Sequence, residues 1–253
     1  MPMARTTWSC IMAAKGSGPN LSPVNTIVLL PGLDGTGLLL GDFARALESD
    51  FKVVTIVYPP EIPMGYDDLM AFIRPQLPDT SYIIVGESFS GPLALQLAFK
   101  ADERLQGVVL GASFARVDIR AKWLLKILVR AVSPRLVPMR LLTWMLLGKS
   151  TTPTIEQQLR GALCTVSASV LSRRANSALT VDMTEQGHRI TCPVLYLRAT
   201  QDRLISRAAG ADVARIAQRL TIEDISAPHF LFQVAPDECA AAIRKFAGSI
   251  DRS

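Results

Sequence analysis

Short runs of apolar, often β-branched residues recur along the chain and alternate with longer stretches of helical periodicity. The runs predict six strands, at residues 26–30, 52–58, 81–85, 107–110, 193–198 and 220–225. The stretches between them predict helices at residues 38–47, 66–77, 89–100, 206–218 and 236–247. The strand runs lack polar alternation, which is typical of strands covered on both faces. The pattern predicts an α/β fold whose mostly parallel central sheet has helices on both faces.

This alternation stops between residues 115 and 190, where only helical patterns occur, at 122–132, 136–147 and 155–170. We interpret residues 115–190 as a helical cap inserted before the penultimate strand. The core then comprises residues 25–114 and 191–253, and residues 1–24 form an N-terminal extension. Basic residues interrupt the leucine-rich part of the cap, which excludes a membrane-spanning helix there. Its amphipathic helices are consistent with a lid over an apolar ligand or with ordinary helix packing.

Composition indicates a globular protein, because 49% of the 253 residues are hydrophobic and 19% are charged. The N-terminus has no long apolar run, so we expect neither a signal peptide nor a transmembrane segment. The cysteines are scattered, without a C-x-x-C pair: Cys10, Cys164, Cys192 and Cys239. Together with only two histidines, this argues against a zinc site or a disulfide framework. We therefore predict a cytoplasmic protein with no metal or other cofactor.

Positive charge is concentrated in the predicted cap. Residues 116–189 contain 12 Lys or Arg against 4 acidic residues, whereas the whole chain has 27 against 22. Such a block is consistent with an anionic partner or with a solvated helical surface. No nucleic-acid-binding motif accompanies the charge, so nucleic acid is not an expected partner.

The most informative motif is Gly-Glu-Ser-Phe-Ser-Gly at residues 86–91, between a predicted strand and a predicted helix. It is typical of a nucleophile elbow, in which a serine at a sharp turn projects its hydroxyl into a cleft. Small residues two places before and after the serine let the strand and helix approach closely. Ser88 meets this requirement with Gly86 and Ser90 as its flanks, so Ser90 is assigned only the small flanking position. Gly91 stands one place after the usual second glycine.

A serine nucleophile needs a base, and the base needs an orienting carboxylate. His229 follows the last predicted strand and is the expected base; the other histidine, His188, lies at the end of the cap. Asp202 follows the strand at 193–198 and is the expected acid, whereas Asp118, the alternative, lies inside the cap. The order serine, aspartate, histidine is the one found in α/β-hydrolases.

Acyl transfer also needs two N–H donors for the oxyanion. The residue after the nucleophile, Phe89, supplies one amide at a helix start. Leu33, in the loop after the first predicted strand, supplies the other, and Gly32 permits the turn. The glycines at 32–37 do not match a dinucleotide fingerprint, since the third glycine and the ribose-binding acid are missing.

With these motifs in the required order, residues 25–250 resemble the α/β-hydrolase superfamily. The resemblance implies that residues 115–190 cover the active site. A capped hydrolase with a basic cap is similar to the bacterial pimeloyl-acyl-carrier-protein methyl ester esterases of biotin synthesis. We therefore expect a serine-dependent carboxylic ester hydrolase acting on short to medium acyl esters. The finer hypothesis is that the substrate is a carrier-protein-linked acyl methyl ester and that an acidic acyl-carrier protein binds at the basic cap.

Two alternatives use the same residues. An acyl-carrier or coenzyme A thioesterase, or an acyltransferase, shares the acyl-serine step and differs only in the leaving or accepting group. A hydrolase-fold binding protein would retain the fold without turnover, although an intact set of Ser88, Asp202 and His229 argues against it.

Overall fold

A single parallel sheet forms the centre of the protein in a computed structural model that describes residues 24–117, 137–187 and 189–250. Its strands lie in the order β2-β1-β3-β4-β5-β6, and every adjacent pair is parallel. The strands are β1 (Thr26–Leu30), β2 (Lys52–Thr55), β3 (Tyr82–Glu87), β4 (Leu105–Gly111), β5 (Val194–Ala199) and β6 (Leu220–Ile225). Parallel neighbours require crossover connections, so the loops that leave the carboxyl ends of the strands all lie at one edge of the sheet.

Helices connect the strands and cover both faces of the sheet. They are α1 (Gly41–Leu47), α2 (Tyr66–Ile73), α3 (Gly91–Phe99), α4 (Met139–Leu146), α5 (Pro153–Thr165), α6 (Ala168–Thr180), α7 (Ala209–Ile216), α8 (Leu231–Val234) and α9 (Pro236–Ile250). Helices α2, α3 and α7 contribute to one buried apolar cluster. Helices α1, α8 and α9 contribute to the cluster on the other face. The predicted α/β architecture with a covered parallel sheet is therefore confirmed.

Burial varies across the sheet. Every residue of β1, β3 and β4 is buried, as expected for strands whose side chains pack on both faces. The outer strands β2 and β6 are partly exposed. The sequence predicted uniformly covered strands, and the difference arises because β2 and β6 are the two edges.

Helices α4, α5 and α6 all lie between β4 and β5 in the chain, within the predicted cap. The single helix predicted over 155–170 is wrong, since the chain is extended at Val166 and Ser167 between α5 and α6. The Ser167 hydroxyl accepts the Val170 N–H at 3.3 Å and caps the new helix. The helix predicted at 122–132 and most of the N-terminal extension lie outside the described residues. In the part of the chain that is described, no helix is long and apolar enough to cross a bilayer.

Candidate active site

Three side chains from separate loops form a continuous hydrogen-bonded chain at the carboxyl edge of the sheet. Ser88 Oγ lies 2.9 Å from His229 Nε2, and His229 Nδ1 lies 2.8 Å from Asp202 Oδ2. The side chains of His229 and Asp202 are only 4% and 5% exposed. The structure thus brings together the three residues that the sequence nominated, although they are separated by up to 141 positions in the chain.

The backbone at Ser88 has the strained geometry of a nucleophile elbow. Its φ is 46°, in the left-handed region, which costs a non-glycine residue on the order of 1–2 kcal/mol. A Cβ atom at Gly86 would lie 2.7 Å from the Ser90 carbonyl oxygen, so only glycine fits there. A Cβ atom at Gly91 would lie 1.7 Å from Ser113 Oγ. Glycine is therefore required at position 91 by the close approach of Ser113, a requirement that the sequence pattern did not show.

Ser113 holds the elbow from the end of the neighbouring strand. Its hydroxyl, completely buried, donates a 2.6 Å hydrogen bond to the Ser88 carbonyl oxygen. The Tyr196 hydroxyl donates in turn to the Ser113 carbonyl oxygen at 2.8 Å. Because these contacts fix the main chain of the serine, the hydroxyl direction is set by β3, β4 and β5 together.

Asp202 and His229, the predicted acid and base, lie in the loops that follow β5 and β6. Asp202 Oδ1 accepts the N–H groups of Leu204 at 2.8 Å and Ile205 at 3.0 Å, which leaves Oδ2 to face the imidazole. The Phe230 N–H, next to His229, donates to the Leu146 carbonyl oxygen at 3.1 Å. The aspartate is thus oriented by its own loop, whereas the histidine loop also contacts the C-terminal end of α4.

The loop after β1 faces the elbow. Leu33 and Phe89, the two predicted amide donors, line the same cavity as Ser88. The Gly35 N–H donates to the Gly32 carbonyl oxygen at 3.0 Å. The oxygen and the hydrogen of a trans peptide point in opposite directions, so this bond also sets the direction of the Leu33 N–H.

Glu87 lies beneath this loop and is 5% exposed. Its Oε2 accepts the Gly32 N–H at 3.0 Å, and its Oε1 accepts the Gln233 amide at 2.8 Å. Burial raises the pKa of Glu87 to about 7, although the Gln233 hydrogen bond opposes the shift. Glu87 also lies in the wall of the cavity that contains Ser88.

Ser90 does more than fill a small flanking position, which corrects the prediction. Its hydroxyl donates a short hydrogen bond to the Pro31 carbonyl oxygen, and the Tyr58 hydroxyl lies 2.7 Å from the same Ser90 oxygen. Since the single hydroxyl proton of Ser90 is donated to the Pro31 carbonyl oxygen, the Tyr58 hydroxyl is the donor in its hydrogen bond with Ser90. Ser90 therefore links the elbow to the loop after β1, a contact that a glycine there could not make.

An apolar cavity of about 710 Å³ opens above Ser88. Helices α4, α5 and α6 supply most of its outer wall, through residues that include Leu142, Leu146, Leu159, Leu163 and Leu179. His229, Glu87 and Asp34 give it a polar floor. This volume is in the range of small-molecule sites. Among the described residues, no group of three or more His, Cys, Asp or Glu side chains is placed to hold a metal ion.

Several residues around the site were missed by sequence reasoning or lie outside the structure. Ser113 and Arg174 carry no local motif, and only their buried contacts identify them. The alternative base His188 and the alternative acid Asp118 lie outside the described residues.

Comparison with solved structures identifies the same fold in proteins of low sequence identity. An esterase from Exiguobacterium antarcticum superimposes with a TM-score of 0.79 at 14% identity, covering 90% of this chain and 93% of that one. A thermophilic esterase from Thermogutta terrifontis gives 0.76 at 18% identity, covering 91% and 92%. The enol-lactonase from Burkholderia xenovorans gives 0.73 at 16% identity, covering 90% and 92%. At these identities the similarity establishes the fold.

The sequence itself is assigned by a family model. No curated protein sequence matches the chain closely enough to count as a relative. The model described as "Serine aminopeptidase, S33" matches residues 58–231, which is more than half of the chain and includes Ser88, Asp202 and His229. The protein therefore belongs to the S33 family of the α/β-hydrolase superfamily, the superfamily that its motifs resemble.

Proposed function

We propose that the protein is a serine-dependent carboxylic ester hydrolase whose substrates carry a short to medium apolar acyl chain. The observation that carries the proposal is the hydrogen-bonded chain from Ser88 through His229 to Asp202, which ends at the floor of an apolar cavity. The fold shared with two esterases and an enol-lactonase is consistent with it.

In the first half-reaction, Ser88 Oγ attacks the ester carbonyl carbon while His229 Nε2 takes the hydroxyl proton. The 2.9 Å separation of these atoms allows direct transfer. Asp202 accepts the Nδ1–H of the imidazole, which keeps the Nε2 lone pair directed at the serine and stabilises the imidazolium. His229 then protonates the leaving alcohol, and the acyl group remains on Ser88.

In the second half-reaction, a water molecule loses a proton to His229 and attacks the acyl-serine. As the bond between the acyl carbon and Ser88 Oγ breaks, His229 returns the proton to Oγ, which releases the carboxylic acid and restores Ser88. Both tetrahedral intermediates carry a negative oxygen, and the amides of Leu33 and Phe89 are its proposed donors. Phe89 lies in the short 3-10 helix Ser88–Ser90 that leads into α3, where unpaired N–H groups favour negative charge.

The cavity supports an apolar acyl group as the part of the substrate that is recognised. Its walls are mainly leucine, phenylalanine and methionine side chains from the core loops and from α4 to α6. Each buried methylene of a substrate contributes roughly 0.8 kcal/mol of transfer free energy. We therefore expect the affinity of the site to rise with chain length until the cavity is filled.

A carrier-protein-linked acyl methyl ester, with an acidic carrier at the basic cap, is the finer form of the proposal. It rests on the charge of residues 116–189. In the described part, Arg160 and Arg173 pair with Glu156 and Asp68. Arg140 and Lys149 are exposed on the cap and are the residues to neutralise. The neutralised variants are compared with wild type on free and carrier-linked methyl esters. The matching thioester and an alcohol acceptor, assayed in parallel, distinguish the hydrolase from a thioesterase and from an acyltransferase.

The experiment for the main proposal compares Ser88→Ala with wild type on p-nitrophenyl butyrate and with a fluorophosphonate label. We expect kcat to fall by at least about 10⁴-fold and labelling to disappear. Ser49→Ala, in the exposed turn after α1, is the matched control and should behave as wild type. Normal hydrolysis by Ser88→Ala would refute the assignment. Labelling of wild type without turnover of any ester, thioester or acyl acceptor would favour a binding protein.

A further inference from the structure

Arg174, on the cap helix α6, is the largest fully buried side chain among the described residues, with 0% exposure. Its guanidinium contacts the proposed oxyanion loop, which is the loop after β1 that bears Leu33, and the segment after β2. Nη1 donates to the carbonyl oxygens of Leu33 at 3.1 Å and Asp34 at 2.6 Å, and Nη2 donates to that of Pro59 at 3.0 Å. The guanidinium also lies over the Tyr58 ring, 5.4 Å from its centre.

Burying this cation is unfavourable unless its donors are used. Burial lowers the pKa of Arg174, but a guanidinium stays protonated in proteins. The acceptors of its Nη1 and Nη2 groups in the described part of the chain are backbone carbonyl oxygens, whereas Nε has no hydrogen-bond partner there. Among the described residues, no carboxylate forms an ion pair with Arg174. A side chain used in this way fixes the positions of peptide groups, since its planar fork has a defined direction for each donor.

The peptide groups that it fixes surround the Leu33 N–H. Glu87 holds the Gly32 N–H from the core side, and Gly35 holds the Gly32 carbonyl oxygen. Arg174 holds the Leu33 carbonyl oxygen on the following peptide. The amide that bears the Leu33 N–H is thus constrained on both sides, by a carboxylate from the sheet and by a guanidinium from the cap.

The close fit of the loop to Arg174 is visible at Gly35. Its φ is +70°, and a Cβ atom there would lie 2.5 Å from Arg174 Nη1. A larger residue at this position would displace the guanidinium from the carbonyl oxygens of Leu33 and Asp34. The glycine therefore serves both the turn and the approach of the cation.

We propose that Arg174 is a positioning residue for catalysis, through which the cap sets the direction of the Leu33 oxyanion donor. The inference rests on the proposed ester hydrolase function. It makes α6 part of the catalytic machinery as well as a wall of the cavity. Removing a complete oxyanion donor costs about 10²–10³-fold in kcat, and loosening one of two donors should cost less.

Arg174→Lys is the primary variant, because it keeps the charge and the aliphatic stem but replaces the planar fork by a compact ammonium group whose donors have no fixed directions. We expect kcat to fall about 10- to 100-fold with KM changed less than about threefold. The inhibition constant of a trifluoromethyl ketone, which forms a tetrahedral oxyanion on Ser88, should rise by a similar factor. Binding of the carboxylic acid product should change little.

Rates are normalised to the fraction of protein that a fluorophosphonate labels, so that partial unfolding does not count as lost catalysis. Arg173→Lys, the neighbouring exposed arginine paired with Asp68, is the matched control and should retain kcat. In Arg174→Ala, added methylguanidinium should restore part of the activity.

Equal kcat and equal trifluoromethyl ketone affinity in Arg174→Lys and wild type would overturn the proposal, while Ser88→Ala would still test the hydrolase function independently. An effect on KM alone, with unchanged inhibitor affinity, would also overturn it, because Arg174 would then influence only substrate binding in the cavity.

Discussion

The proposed catalytic triad and the proposed oxyanion loop lie side by side, yet they are held in different ways. Ser88, Asp202 and His229 are positioned mainly by strand ends and their own loops, through contacts such as those of Ser113 and the Leu204 N–H. The loop that bears Leu33 is held from two sides, by Glu87 of β3 and by Arg174 of the cap. The proposed nucleophile is thus held largely by the core, whereas the proposed oxyanion donor, Leu33, lies in a loop that core and cap hold together.

This difference predicts the largest effect for a change within the triad that leaves the loop intact. Asp202→Asn keeps the shape of the acid and can keep the Leu204 and Ile205 contacts. Its amide would donate to His229 Nδ1, which places the imidazole proton on Nε2, where it cannot accept the serine proton. We expect kcat to fall about 10⁴-fold with little change in the thermal unfolding midpoint.

The matched control is Asp224→Asn, a half-exposed aspartate on β6 that pairs with Arg198. It should retain activity. If Asp202→Asn kept more than about a tenth of the wild-type kcat, the triad assignment would be wrong, and the core would not be the source of the catalytic base.

Glu87, which holds the oxyanion loop from the core side, predicts an effect of intermediate size, and this effect is on the free energy of unfolding. The ordinary pKa of a glutamate carboxyl, which applies to the unfolded chain, is 4.5, whereas burial raises the pKa of Glu87 in the folded protein to about 7. The folded state therefore binds the proton more tightly. The corresponding stability is fully present below about pH 4.5, is lost as the pH rises to about 7, and does not change further above that. The loss amounts to about 3 kcal/mol.

Glu87→Gln should remove this part of the pH dependence. An amide at position 87 can keep the Gly32 N–H through its oxygen. Its NH2 group can donate to the Gln233 side-chain oxygen once the Gln233 amide, whose NH2 group faces Glu87 in the wild type, has turned over; that oxygen is buried with no hydrogen-bond partner among the described residues. The measurement is the free energy of unfolding by urea at pH 4.5 and pH 8, with the exposed Glu48→Gln as control. If the wild-type and Glu87→Gln proteins lose stability equally over that range, Glu87 does not titrate as its burial requires.

The sequence was sufficient for the fold and for nominating the triad because both depend on local signals. Alternating strand and helix patterns specify a parallel sheet, and parallel strands bring their following loops to one edge. Ser88, Asp202 and His229 each follow a strand, so their order along the chain already implied their proximity. Their roles in catalysis remain to be tested by the variants above.

The contacts that hold the oxyanion loop could not be predicted in the same way. Arg174 is one of 12 basic residues between positions 116 and 189, and nothing in its local sequence distinguishes a buried guanidinium from a solvated one. Ser113 follows a strand but lies in no motif, and Ser90 resembled a substitute for glycine. These residues act through tertiary contacts 25 or more positions away, which periodicity and spacing do not encode.

The cap wall predicts the smallest effect, and it separates recognition of the acyl chain from the chemistry. Leu163, on α5, lines the cavity, so Leu163→Trp should shorten the space available while leaving the hydrogen bonds of the triad and of the oxyanion loop in place. We expect kcat/KM for p-nitrophenyl decanoate to fall about tenfold or more relative to the butyrate, since overpacking typically costs 1–3 kcal/mol. Gln158→Trp, on the exposed side of the same helix, should leave the ratio unchanged. An equal loss of kcat/KM on both esters would mean that α5 acts on the chemical step, as proposed for α6. The cap could then no longer be divided into a wall that selects the acyl chain and an arginine that positions the loop.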